Sequence, residues 1–534
     1  MPAMPARALC RRPKAASPLA ARSVTASPLA ARSVTASPLA ARSVTASPVD
    51  AASVSASPLA AASVSASPVA APRLAAPGLA APRLAAPGLA AAWLAVVALC
   101  APLAAGCGGH TARTLAFREA LDGGDFPRAV KSLNKELKVD TDKELPPDIK
   151  GDNALLVLDR ASVQQAQREF DLSRRDFQAA DKAIDVLDLS QNAGDSIAKY
   201  VFSDDAGRYA APPYEKLLIN AFNLLNYLEL GDLSGARVEA RRLSVTRQFL
   251  LTKGAKSDSP MFALGAQLAG FALEKSGEVD EALRYYDEAL AAGPAPSLDA
   301  PIARLLPRGN VRSPRLKEAA ERGRAAAEGG EDEAEVLVVL GYGRVPHKEA
   351  KRLPIGLALT YFAGAIQPTD VVAANKLAAQ GLVTWINYPS LAPERGQYAD
   401  PVCAIDGRFV STGAAINLSQ LVRAEWREIE GKIVASAITR AITRVALGQG
   451  VETAAGRDSI VGLLVSLGLQ AGLSAADTPD TRSWEALPAR VAIERVRLPA
   501  GRHAVDLRAR GVSAKKQLDL KPGGWALVSL MALR

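Results

Sequence analysis

The sequence predicts an α+β protein: an N-terminal α-helical solenoid of repeated hairpins, followed by an α+β domain that ends in antiparallel strands. Three observations carry that prediction. From Thr111 to Gly329 apolar residues recur at spacings of three and four, among abundant Ala, Leu, Glu, Arg and Gln, which is the period of amphipathic helices. Within that stretch a Gly-acid pair returns ahead of successive helices. Beyond residue 330 the runs become strand-like, rich in Val, Trp and Tyr and separated by Gly and Pro. The predicted organisation is a leader over 1–106, a helical domain over 107–330 and an α+β domain over 331–534.

The leader repeats "SPLAARSVTA" at a ten-residue period and then "APRLAAPGLA" twice. Ala, Ser and Pro dominate it, so it has nothing large to bury and no core to offset its ordering entropy. It also holds most of the net charge. Residues 1–106 carry eight Arg, one Lys and the single acid Asp50, whereas the rest of the chain has 55 basic and 54 acidic side chains. The overall pI of 9.3 is therefore a property of the leader. The predicted folded part lacks the basic footprint that nucleic-acid binding requires, so no nucleic-acid partner is expected.

The leader closes like a secretion signal. Arg83 precedes "LAAAWLAVVALCAPLAAG", an apolar stretch ending in small residues. The uncharged run from Leu84 to Cys107 is long enough to reach across a bilayer, but Pro102, the Ala-rich composition and the Gly106-Cys107 junction favour cleavage. "LAAGC" resembles the bacterial lipobox, which implies lipidation of Cys107; Leu103 lies four places before it and Ala104 fills the usual aliphatic slot. Ordinary secretion and a retained membrane helix are the alternatives. Gly108 follows the anchor with no Asp to resemble an inner-membrane retention signal, which favours the periplasmic face of the outer membrane. No Met occurs between Met4 and Met261, so a start nearer residues 69–84 is expected; a precursor mass that includes the repeats would defeat that expectation. Of Cys10, Cys100, Cys107 and Cys403, cleavage and lipidation leave only Cys403, which excludes an intramolecular disulfide and fits a small buried hydrophobe.

In the helical stretch, "LDGGDFPRAVKSL", "LELGDLSGARVEARRL" and "LEKSGEVDEALRYYDEAL" share the same punctuation. Set on the TPR pattern, the third places Gly270 where two helices approach, Ala282 at the small position facing it, Tyr286 and Ala289 on the packing face, and Pro294 after the second helix. The second copy keeps Tyr227, Gly231 and Ala236, and a weaker unit keeps Ser173, Phe177 and Ala180. An irregular bundle with chance Gly-Asp turns is the alternative. Inner positions such as Leu218, Leu225, Leu264 and Phe271 are apolar, which argues against a clamp for a peptide carboxylate. Gln267, Glu274 and Lys275 are expected to face a groove and to contact a partner protein.

The remainder reads in order as strands at "EVLVVLGYGRV" and "GLVTWINYPSL", then a long helix in which Ile429, Ile433, Ala437 and Thr443 keep a helical spacing and Arg423, Arg427, Lys432, Arg440 and Arg444 decorate it. Ser459 to Ala475 is apolar and too short to span a bilayer; a buried helix is expected, with membrane dipping as the alternative. The tail, "RVAIERVRLPAG", "RHAVDLRARG", "KQLDLKPGG" and "WALVSLMAL", predicts a small antiparallel sheet or sandwich.

Catalytic motifs are absent from the sequence: no HExxH, Cys-His cluster, P-loop, GxGxxG or GxSxG occurs, so no metal and no cofactor is expected. His347 stands without a nucleophile. Asp477, Asp480, Arg482 and Glu485 gather around Trp484, where a carboxylate pair could serve glycan hydrolysis but turn and capping roles are commoner.

"RYAAPPYEKLLINAFNLLNYLELGDLSGARVEARR", "GYGRVPHKEAKRLPIG", "INYPSLAP" and "DTRSWEALPARVAIERVRLPAG" resemble an uncharacterised group of bacterial TPR-containing lipoproteins, across roughly residues 115–532 and in the family's order. The resemblance implies an envelope-anchored protein. The expectation is a non-catalytic, lipid-anchored protein that binds or scaffolds envelope proteins. The rivals are peptidoglycan or lipid binding by the C-terminal domain and an envelope glycan hydrolase acting through the Asp477–Glu485 region.

Overall fold

The computed structural model describes residues 109–149, 152–184, 209, 211–328, 332–379, 385–394, 398–455 and 478–534. The leader, Cys107, Asp477 and the apolar segment from Ser459 to Ala475 lie outside the described residues. The chain is mixed α+β, with helices first and antiparallel-rich sheets toward the C-terminus.

The helices are α1 (His110–Arg113), α2 (Leu115–Gly123), α3 (Phe126–Leu137), α4 (Asp152–Ala166), α5 (Phe170–Ala183), α6 (Pro213–Glu229), α7 (Leu233–Thr252), α8 (Ala263–Lys275), α9 (Val279–Ala292), α10 (Asp299–Leu305) and α11 (Pro314–Ala327). They pack as consecutive pairs: α2 on α3, α4 on α5, α6 on α7, α8 on α9 and α10 on α11. The Gly-acid punctuation has a physical cause. Gly124, Gly231 and Gly277 take left-handed backbone conformations at φ +72°, +71° and +82°, which a side chain disfavours. Asp125 and Asp232 then cap the next helix, accepting from the amides of Arg128 and Gly235 at 3.0 and 2.9 Å. Between α4 and α5 the same bend is made without glycine, by Arg168 at φ +67°. That substitution is why this unit reads weakly in sequence.

The strands are β1 (Ala334–Tyr342), β2 (Lys348–Pro354), β3 (Trp385–Leu391), β4 (Val402–Ile405), β5 (Arg408–Val410), β6 (Ile416–Asn417), β7 (Arg490–Leu498), β8 (Gly501–Ala509), β9 (Val512–Leu520) and β10 (Trp525–Ala532). Two four-stranded sheets have the orders β10-β1-β7-β6 and β5-β4-β8-β9, and β2 pairs with β3 separately. The tail strands do not form a small sheet of their own, as the sequence suggested, but are divided between the two four-stranded sheets. Of the four tail strands only β8 and β9 form a hairpin; β7 runs antiparallel to β1 and β10 runs parallel to it on the other side. The reason is that all nine residues of β1 are buried, so it needs partners on both edges and cover on both faces.

Those faces divide the core. Val336, Val338 and Leu340 of β1 pack with Cys403, Val505, Leu507 and Leu518 of the second sheet. Leu337 and Val339 pack with the helices, together with Val491, Ile493, Leu527 and Met531. The result is three layers: helices, sheet, sheet. The change from helix to strand falls between α11 and β1, and the hydrophobic core runs across it without a break. Cys403 is buried, as its reading as a small hydrophobe requires, and burial pushes its thiol up to about 11.

A smaller core lies apart from these layers. It joins β2 and β3 to α12 (Ile355–Tyr361), α13 (Pro368–Ala379) and the middle of α14 (Leu418–Ala455). No helix among the described residues is long and apolar enough to cross a membrane.

Candidate functional site

The residues from Thr478 to Ala489 form no regular element beyond turns, yet Thr481 to Leu487 are all buried. A buried irregular segment must place its polar groups on neighbours, and here the neighbours are the helices. Trp484 stacks edge-on between Phe177 of α5 and Phe222 of α6, with ring centroids at 6.0 and 5.8 Å. Its indole donates to Ser162 Oγ at 2.8 Å and its amide to Glu215 Oε1 at 3.2 Å. The Ala486 amide donates to Asp159 Oδ1 at 2.8 Å. Glu485 Oε1 accepts from the Thr114 hydroxyl at 3.1 Å and from Arg118 at 3.3 Å. Thr111 donates to Thr481, and Arg482 reaches Asp480 and Asp152 at 2.8 and 3.3 Å.

Three carboxylates, Asp159, Glu215 and Glu485, thus share one buried seam. Burial and the neighbouring Glu485 hold the Asp159 carboxyl well above its ordinary range. Burial also raises Glu215, against the opposing hydrogen bond from the Tyr209 hydroxyl at 2.5 Å. His110 lies 3.7 Å from Glu485, and burial lowers its pKa to about 4, so it is neutral at pH 7. The carboxylates proposed from sequence for acid-base work, Asp480 and Glu485, are tied to Arg482 and to Thr114 and Arg118 respectively. What this arrangement does is hold an irregular segment of the chain's own sequence against α2, α4, α5 and α6.

A second polar cluster joins α8 to the first sheet. Arg495 of β7 is buried and bonds both oxygens of Glu274 at 2.9 Å, Glu335 of β1 at 2.7 and 2.9 Å, and the Tyr286 hydroxyl at 2.7 Å. Lys275 bonds Glu274 at 2.8 Å and also Glu335. Burial works against the charged forms of Glu274 and Glu335, but Arg495 and Lys275 outweigh it and hold both carboxyls below the usual range.

This corrects the groove assignment. Gln267 is buried, and Glu274 and Lys275 are turned into the cluster with β1 and β7 rather than toward open solvent. The packing residues fare differently. Ala236, Ala282, Tyr286 and Ala289 are fully buried, and Tyr227 is nearly so. A Cβ on Gly270 would lie 2.4 Å from the Tyr286 ring, so this glycine admits the ring itself. In the preceding hairpin the ring of Tyr227 lies against Gly235, where an added Cβ would stand 2.1 Å from it, a contact the sequence reading did not include; Gly231 makes the turn between the two helices. His347 stands 3.5 Å from Glu349, and His503 bonds Asp406 at 2.7 Å. Among the described residues no group of three or more His, Cys, Asp or Glu is placed to hold a metal ion.

Sequence reading also missed Arg495, Glu335, Asp159 and Arg160 as buried charges. A signal existed for the last two: Asp159 and Arg160 interrupt the apolar run "ALLVLDRASV", where a pair of charges needs partners. Arg160 finds Asp176 at 2.6 Å and Asn134 at 2.8 Å.

Compared with protein-family models and with curated proteins, the chain matches none of them.

Proposed function

We propose that this is a lipid-anchored, non-catalytic envelope protein, held at Cys107, whose TPR-like hairpins bind or scaffold partner proteins. The observation that carries the reading is the recurrence of a left-handed glycine followed by an acid at three hairpin turns, with a tyrosine ring seated on a glycine of the paired helix in two of those hairpins. Consecutive pairing of α2 through α11 supports a stack of such units.

The inner side of that stack is occupied. The first helices α4, α6 and α8 are buried along most of their length, under β10 and the Thr478–Ala489 segment. Partner contact therefore belongs on the outer helices. On α7, Val238 and Val245 are both exposed two turns apart on the outer side of a hairpin.

Two measurements test the two halves of the proposal. Replacing Cys107→Ala is expected to abolish palmitate labelling and release the protein from membranes; persistent labelling would contradict the anchor. A photo-crosslinker at Val245 in living cells is expected to give one dominant protein adduct by mass spectrometry. A set of adducts no different from one placed at exposed Glu321 would remove the scaffold reading.

A further inference from the structure

The packed body of the chain begins almost at the cysteine proposed as its anchor. One residue, Gly108, separates Cys107 from Gly109, and α1 starts at the position after that. Gly109 lies so close to the Thr478 side chain that an added Cβ would stand 2.8 Å from its methyl group. The Gly109 carbonyl accepts from the Ala112 amide at 2.9 Å. His110 is 3% exposed and Thr114 is fully buried. The Thr111 hydroxyl donates to Thr481 at 2.7 Å, and the Thr111 carbonyl accepts from Arg118 at 2.6 Å. These contacts hold the chain from Gly109 onward, so the spacer between anchor and body is Gly108 alone.

Spacer length decides how a lipid-anchored body can stand. Two residue steps span at most about 7 Å, which is less than the ~10–12 Å diameter of one helix with its side chains. A flexible spacer of twenty residues would average roughly 25 Å and let the body turn freely above the lipid. With the shorter reach, acyl chains on Cys107 enter a bilayer only when the surface around Gly109 comes down onto it. That surface is α1 and the Thr478–Thr481 edge, with the exposed Ala112 and Leu115 beside them. Charge attraction plays no part in this. The acids Glu136, Asp152 and Asp480 outnumber Arg113 and Arg482 at this end, and each of them already touches one of those arginines, at 2.8–3.4 Å.

We propose that the lipidated protein sits directly on the membrane, with α1, the start of α2 and the Thr478–Thr481 edge against the headgroups. The last helix pair of the series, α10 and α11, then stands away from the lipid, since three other pairs separate it from α2 and α3. The inference rests on the lipidation of Cys107 proposed above and adds to it the face of the body that the membrane covers.

The experiment uses mature protein purified from membranes into lipid nanodiscs. Intact mass establishes cleavage at Gly106–Cys107 and the acyl chains, so the basic leader is absent from the sample. Cys403 is buried, which leaves a single introduced cysteine to take a fluorophore. Ala112→Cys, Leu115→Cys and Glu321→Cys each place it at an exposed position. A nitroxide on the lipid headgroups is expected to quench the first two labels and not the third. Inserting a twenty-residue Gly-Ser spacer between Gly108 and Gly109 is expected to cut quenching at Ala112→Cys by about three-fold or more, because the tether grows to roughly 25 Å. Equal quenching at all three positions, or quenching that survives the spacer, overturns the inference and leaves the anchor standing. A mature protein without acyl chains overturns the anchor and this inference together.

Discussion

Arg495 shows how much one side chain can hold together. It is buried, and its guanidinium bridges Glu274 of a helix to Glu335 of the central strand while facing the Phe271 ring at 5.0 Å. Five donors in a planar fork suit two carboxylates and a hydroxyl; a lysine would supply the charge without the fork. Removing the arginine leaves two buried carboxylates with only Lys275 and the longer contact from Arg304 to Glu335 at 3.4 Å. Arg495→Ala is expected to cost about 3–5 kcal/mol in urea unfolding, and Arg495→Lys less, because the charge is kept. Both carboxyls are held below their ordinary range, so their contribution is present above that range and is lost only as pH falls through the depressed values. In Arg495→Ala burial is left to act on the two carboxyls and raises them, so the loss should be smaller at pH 5, where protonation relieves it, than at pH 7. An Arg495→Ala protein within 1 kcal/mol of the parent would show that the cluster is solvated after all.

At the scale of elements, the hairpins owe their spacing to contacts between a ring and a bare backbone. Tyr286 rests on Gly270 and Tyr227 on Gly235, so helices of each pair sit closer than two ordinary side chains allow. Gly270→Ala is expected to destabilise by about 1–3 kcal/mol through overpacking, although alanine favours helix more than glycine. Pairing it with Tyr286→Leu should recover part of the loss in thermal melts; equal destabilisation by both forms would refute the contact as its cause. Much of this level was legible beforehand. The period of three and four located the helices, the Gly-acid turns located the bends, and apolar runs located β1 and β10. What was not legible was which strands meet. Alternation sets the face of a strand, and short turns set only local partners, as in the β8–β9 hairpin. The pairing of β10 beside β1 joins residues far apart in the chain, and nothing in either run specifies it. The groove residues failed for a related reason: Glu274 and Lys275 do lie on the inner side of α8, but their partners, Glu335 and Arg495, belong to strands whose position the sequence does not disclose.

At the scale of the whole molecule, the helical and strand regions are distinct in sequence and joined in energy. Phe271 of α8 meets Trp525 of β10 at 5.5 Å, Glu229 of α6 accepts from the Ser529 amide at 2.6 Å, and Trp484 sits among α4, α5 and α6. A core shared in this way predicts one cooperative transition rather than two. The full chain should melt once by calorimetry, and a fragment of residues 107–330 made alone should give no cooperative melt. Independent melting of that fragment would mean that the strand layers decorate the helices without supporting them.

The burial of Thr478–Ala489 against the helices also sets an order of events during biosynthesis. The Thr111 hydroxyl waits for Thr481, 370 residues later. A ribosome adding about 5–20 residues per second needs roughly 20–70 seconds for that interval. Throughout it the nascent helices present Phe177, Phe222 and an acidic seam with nothing to cover them. The newborn chain is therefore expected to need holding chaperones until its last tenth emerges. In genetic terms, a stop codon just ahead of Trp525 should be as damaging as one near the start of the helices.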